Sequence, residues 1–116
     1  MHYGDGAWND IGEKTMTTTE VTIVRIYLSE SSGNLETLLK RLHDWEKVKG
    51  VTVFRGITGY GESGNEHTAR FADLSLDLPI VVEFFDDPEK VATIIENIQA
   101  NIKPQHMLWW NANVNQ

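Results

Sequence analysis

The chain has 116 residues, with 10 basic against 17 acidic and no cysteine. That length suits one compact domain, and the composition excludes disulfides, thiol catalysis and cysteine-based zinc sites. A net charge of −7 argues against broad nucleic-acid binding, which needs Lys and Arg to displace phosphate counterions.

Residues 1–19 are polar, with Gly4, Gly6, Gly12 and a run of three threonines, and show no sustained period. They read as a flexible extension on which Trp8 and Ile11 are docking residues, ahead of a domain over residues 20–116. No basic-then-apolar start and no apolar run of roughly 18 residues is present, so a cytoplasmic protein is expected. Val21 to Leu28 is a β-rich run, broken by Ser31-Ser32-Gly33-Asn34, where Asn34 or Ser32 suits a helix cap. Leu35, Leu38, Leu39, Leu42 and Trp45 recur at helical spacing as far as Gly50. Val51 to Thr58 reads as a second strand, residues 59–75 as a loop, and Leu76 to Phe85 as a third strand. Asp87-Pro88 starts a second helix with Val91, Ile94, Ile95 and Ile98 on one face, Lys103-Pro104 ends it, and Met107 to Val114 is the last strand.

The order is βαββαβ. It predicts an α+β, ferredoxin-like fold: a four-stranded antiparallel sheet with two helices on one face and a long loop between strands two and three. Such a sheet should be polar on its open side. Here Val24, Ile26 and Leu28 oppose Val21, Ile23 and Tyr27, and Ile80, Val82 and Phe84 oppose Val81 and Phe85, so both faces are apolar. The cover expected for the second face is another subunit.

Charge is uneven: residues 21–61 carry +2, while residues 62–116 carry −6. The one net-positive stretch leads into Gly59-Tyr60-Gly61-Glu62-Ser63-Gly64. That G-x-G-x-x-G spacing suits a dinucleotide fold only if a helix follows, and Asn65 to Phe71 is a poor amphipathic helix in a chain too short for a doubly wound sheet. Two readings stay open: a plain connection with glycine turns, or a loop that binds a ligand or partner. Three glycines and few apolar residues predict a segment that is mobile alone and orders on binding. His67, with Glu62 and Glu66, is either an exposed loop histidine or part of a metal site shared between subunits. Arg25 and Arg55 lie inside strands, where each guanidinium must meet a carboxylate, a carbonyl or a ligand phosphate, and Glu83 is the natural internal partner. Trp109-Trp110 puts one indole on each face of the last strand, for core or interface packing. No nucleophile–base constellation is present, and Asp86-Asp87 reads as a helix cap, so an enzyme is not expected.

Arg25-Ile26-Tyr27, Val53-Phe54-Arg55-Gly56, Gly59-Tyr60-Gly61, His67-Thr68-Ala69-Arg70, and Leu74-Ser75 followed by Asp77-Leu78-Pro79 together resemble the PII signalling superfamily, in its PII-like branch labelled a domain of unknown function. The resemblance runs from Glu20 to about Val114. It implies a homotrimer that binds an adenine nucleotide between subunits and signals through the loop 59–75, the counterpart of the PII T-loop, to a membrane transporter, a channel or a carbon-metabolism enzyme. A small anion such as bicarbonate is a further implied ligand. Carried over by position, Thr52 and the backbone of Gly59, Tyr60, Gly61, Glu62 and Ser63 would lie at the nucleotide, and Glu83 and Phe85 would flank the base. The glycine-lysine segment that precedes the last PII strand reads here Asn101 to His106, and the basic pair after that strand is missing. ADP or AMP is therefore favoured over ATP. Arg70, on the loop, becomes the expected phosphate contact, with Arg25 and Arg55 as further anion contacts. The alternative is a trimer of the divalent-cation-tolerance type with metal at His67.

Overall fold

The computed structural model describes residues 17–60, 66–68 and 77–116. Strand β1 (Thr18–Ser29) carries the β-branched run and reaches back to Thr18, which pairs with Asn115. Two residues assigned by sequence to the extension, Thr18 and Thr19, thus belong to the sheet. β2 (Val51–Arg55), β5 (Pro79–Asp86) and β6 (Met107–Asn115) complete a four-stranded sheet in the order β2-β5-β1-β6, with every neighbour antiparallel. This is the ferredoxin-like order. The short strands β3 (Thr58–Tyr60) and β4 (Glu66–Thr68) form a separate ribbon within the stretch read from sequence as loop.

Helices α1 (Leu35–Lys40) and α2 (Pro88–Ile98) pack on one side of the sheet. Val24, Ile26, Ile80, Val82 and Phe84 meet Leu38, Leu42, Val91, Ile94 and Ile98 there, and all are buried. The four apolar positions expected on α2 are its buried residues. α1 is shorter than its periodicity suggests. After Lys40 the chain widens into a π-helical turn, Arg41–Trp45, in which the Glu46 N–H donates to Arg41 O at 3.0 Å. The extra residue in that turn rotates the following side chains about the axis. Trp45, expected on the apolar stripe, therefore lies 71% exposed, and Glu46 turns inward. Its carboxylate accepts from Arg41 Nε at 2.9 Å and Asn97 Nδ2 at 3.1 Å. Lys47, at φ 58°, ends the turn. The tryptophans of β6 also differ from a core role. One faces each side, Trp109 opposite Val24 and Trp110 opposite Ile23, but β6 is an edge strand and both stay exposed.

Asp87 occupies the N-cap of α2 with Pro88 in the first turn, yet its side chain makes no capping bond. Asp86 does the bonding instead. Its Oδ1 accepts the Asp87 N–H at 2.8 Å and its Oδ2 sits 2.8 Å from Lys90 Nζ. Burial pushes the Asp86 carboxyl up, but the Lys90 ammonium and the Asp87 N–H outweigh it and hold the group below the usual aspartate value. A depressed carboxyl stabilises the fold at neutral pH, and that contribution is lost as pH falls through its folded value. Asp86→Asn is therefore expected to cost about 1.5–3 kcal/mol at neutral pH. The gap from the parent should narrow below about pH 4 in urea denaturation series.

Candidate functional site

Directly opposed residues of an antiparallel sheet share a face, so the register alone lays out the side away from the helices. One row across the strands is Trp110, Ile23 and Phe85, and the next is Leu108, Arg25, Glu83 and Thr52. A third is Tyr27, Val81 and Phe54. Tyr27, Phe54, Phe85, Leu108 and Trp110 are all exposed. The expectation of two apolar faces is met.

A charge pair sits in the middle row. Arg25 Nε donates to Glu83 Oε1 at 2.6 Å, and the guanidinium carbon lies 5.6 Å from the Trp110 ring centroid. The Glu83 hydrogen bond, against a smaller effect of burial, raises the Arg25 value, and the Tyr27 hydroxyl adds to it. Glu83 is thus engaged by Arg25, as the sequence suggested. Arg55 pairs elsewhere, with Nη2 at 3.1 Å from Glu30 Oε2. Of the residues singled out by sequence, Thr52, Glu83, Phe85 and Arg25 share the open face. Gly59 and Tyr60 lie on β3, away from that grid. Gly61, Glu62, Ser63 and Arg70 lie outside the described residues. His67 pairs through its backbone with Gly59. Among the described residues no three His, Asp or Glu side chains converge as a metal site.

The stem of the β3–β4 ribbon is held by backbone. The Gly56 N–H donates to Pro79 O at 2.7 Å, and a Cβ on Gly56 would stand 2.6 Å from Pro79 Cγ. On the other side of β5 the Glu30 N–H donates to Leu78 O at 2.9 Å, and the Ser31 N–H to Asp77 Oδ1 at 2.7 Å. With the Arg55–Glu30 pair, these bonds tie β2, β5 and the turn after β1 together where the ribbon leaves the sheet. Ile57 and Tyr60 project from this stem, 78% and 77% exposed. Sequence reasoning missed Glu30, Tyr27 and Trp110 as partners of the arginines. Tyr27 had a signal, since it lies two residues from Arg25 and so on the same face. Glu30 had none, because its partner is set by how β2 ends.

Gly56→Ala is expected to lower stability by about 1–3 kcal/mol, because the proline ring cannot move out of the way. Gly50→Ala, with open space around the added methyl, should change it by no more than about 0.5 kcal/mol. Urea midpoints of the two variants compare them directly.

Residues 21–114 match the DUF190 family, described as "Uncharacterized ACR, COG1993". The chain is 31% identical over 81 residues to a UPF0166 protein of Aquifex aeolicus, covering 70% of this chain and 82% of that one. It is 32% identical over 89 residues to a UPF0166 protein of Methanocaldococcus jannaschii, covering 70% and 78%. Among solved structures it is similar to CPII, a nitrogen regulatory PII-like protein from Thiomonas intermedia bound to ADP, AMP and bicarbonate, with a TM-score of 0.60 and 18% identity over 86% of this chain and 98% of that one. A PII-like signaling protein from Thermus thermophilus aligns with a TM-score of 0.58 and 18% identity, over 85% and 91% of the two chains. The fold is that of the PII-like proteins.

Proposed function

We propose that this chain, which belongs to the DUF190 family, is a PII-like regulator and not an enzyme: a homotrimer that binds ADP or AMP, with bicarbonate as a second ligand, and acts on a partner through residues 59–75. The observation that carries the reading is the open sheet face. A contiguous apolar surface of this kind, on the central strands as well as the edges, calls for a protein cover. Three copies arranged with their open faces inward supply it and create clefts between subunits. Thr52, Glu83 and Phe85 lie on that face beside the ribbon stem, which is where such a cleft would form. CPII, of the same fold, is bound to ADP, AMP and bicarbonate, and this supports the ligand classes.

Charge supports the choice of nucleotide. Arg25 and Arg55 already hold carboxylates, so each could meet a phosphate only by sharing or exchanging its partner. Arg70, read from sequence, is the cation left for the role in this proposal. One arginine suits the shorter phosphate chains of ADP and AMP better than ATP. The loop from Gly59 would then couple occupancy to a transporter, a channel or an enzyme of carbon metabolism.

A thermal-shift panel of ATP, ADP, AMP, bicarbonate and divalent cations tests the ligand class. ADP or AMP at about a hundred times its Kd should add about 2.7 kcal/mol of stability. A rise with divalent cations alone would favour the cation-tolerance reading. Arg70→Ala should weaken nucleotide binding by roughly tenfold to a hundredfold in calorimetry, the loss of one charge-assisted contact. Unchanged affinity there, with a loss in Arg55→Ala, would move the phosphate site to β2. Light scattering should give three times the 13.2 kDa chain mass. Val81 sits at the centre of the open face, and burying an unpaired carboxylate costs several kcal/mol. Val81→Asp should therefore yield a folded monomer. A parent protein that is monomeric at micromolar concentration would overturn the trimer.

A further inference from the structure

The helix side of the sheet carries a cleft of about 350 Å³ that the nucleotide reading does not use. It opens because the two helices stop early. α1 gives way to the π-helical turn at Arg41, and α2 ends at Ile98 in a 3₁₀ turn over Gln99–Asn101. Leu28, near the end of β1, is left half-covered between them. A void of this size is far larger than the packing gaps of a protein interior and falls within the range of small-molecule sites.

The floor of the cleft is aliphatic: Leu28, Leu38, Ile98 and Ile102. Its rim is polar, with Asn34, Thr37 and Asn101 beside a single cation, Arg41. Asn34, Thr37 and Arg41 recur at helical spacing along one side, and Ile98, Asn101 and Ile102 along the other, so the lining is set by two helical faces meeting at an angle. The guanidinium of Arg41 is held in place. Its Nε bonds Glu46 Oε2, its plane lies near the Trp45 ring at 5.6 Å, and Glu46 is itself fixed by Asn97. Among the described residues its two terminal amino groups have no hydrogen-bond or ion-pair partner. Those amino groups form an edge suited to a carboxylate. No aromatic ring lines the floor to stack a base, and one cation does not match a phosphate chain.

We infer that the cleft between α1 and the end of α2 binds a compact aliphatic monocarboxylate, its apolar body on Leu28, Leu38, Ile98 and Ile102 and its carboxylate on Arg41. The volume accommodates about six to eight non-hydrogen atoms. The site lies across the sheet from the proposed nucleotide cleft and does not depend on it.

The test titrates isocaproate into the isotope-labelled full-length protein and follows backbone amide signals. Saturable shifts at Leu28, Thr37, Ile98 and Ile102, with a Kd on the order of 1 mM, are expected. Isocaproamide has the same shape without the charge and should bind at least about tenfold more weakly. Thr37→Phe, from an exposed position on the rim, should fill the cleft and abolish the shifts while leaving the melting temperature near the parent's. Asn101→Phe does the same from the opposite wall if the first variant fails to fold. Adding ADP should leave the isocaproate shifts in place. The inference is overturned if no saturable shift appears, if amide and acid bind alike, if either folded filling variant binds as the parent does, or if ADP competes.

Discussion

Everything in this molecule depends on a central pair of strands, β1 and β5, that are hydrogen-bonded on both edges and apolar on both faces. A strand in that position has no polar side to give to water. On one side the helices cover it, and Val24, Ile26, Val82 and Phe84 are essentially out of solvent. On the other, the same two strands present Ile23, Tyr27, Val81 and Phe85 with a single charge pair between them. The helix side thus accounts for folding of one chain, and the open side bears on what that chain does next.

The second constraint is local and sits where β5 begins. Pro79 offers its carbonyl to Gly56, its ring lies against both Gly56 and Gly59, and Leu78 and Asp77 just before it hold Glu30 and Ser31. Backbone bonds of this kind do not depend on the sequence of the ribbon beyond them. The stem can therefore stay fixed while residues 59–75 change contacts, which is what a signalling loop on a rigid scaffold requires. In the proposed function this gives the loop a fixed origin beside Thr52 and Glu83, so occupancy of the cleft and position of the loop share one anchor.

Much of this was legible in the sequence, and the limits have physical causes. The strands and α2 were readable because their apolar residues follow period 2 or 3.6 without interruption, as Val91, Ile94, Ile95 and Ile98 show. α1 was misread at its end because periodicity assumes a constant number of residues per turn, and the π-helical turn at Arg41–Trp45 breaks that assumption. The β3–β4 ribbon was invisible because three-residue strands of Gly, Tyr, Glu and His carry no alternating pattern. The Arg25–Glu83 pair was foreseeable, since two opposite charges in central strands have few alternatives. Arg55–Glu30 was not, because it joins a strand end to a turn and only the tertiary fold brings them together. The carry-over of Thr52, Glu83 and Phe85 to one face follows from strand parity, whereas Gly59 and Tyr60 depend on where the ribbon bends, which parity does not fix.

The charge pair on the open face also constrains the kind of interface that could cover it. An exposed ion pair contributes little, and burying one removes its hydration, so the pair is a weak source of affinity. Its role in the proposed trimer is better understood as placement. Arg25 is oriented by Glu83, Tyr27 and the Trp110 ring together, so its remaining donors point in fixed directions. A neighbouring copy that slides along the apolar face loses nothing in the hydrophobic contact, which is non-directional. It does lose the match to those donors, and leaves them desolvated without acceptors, which is costly. Apolar area sets the strength of such an assembly, and the Arg25–Glu83 pair sets its register.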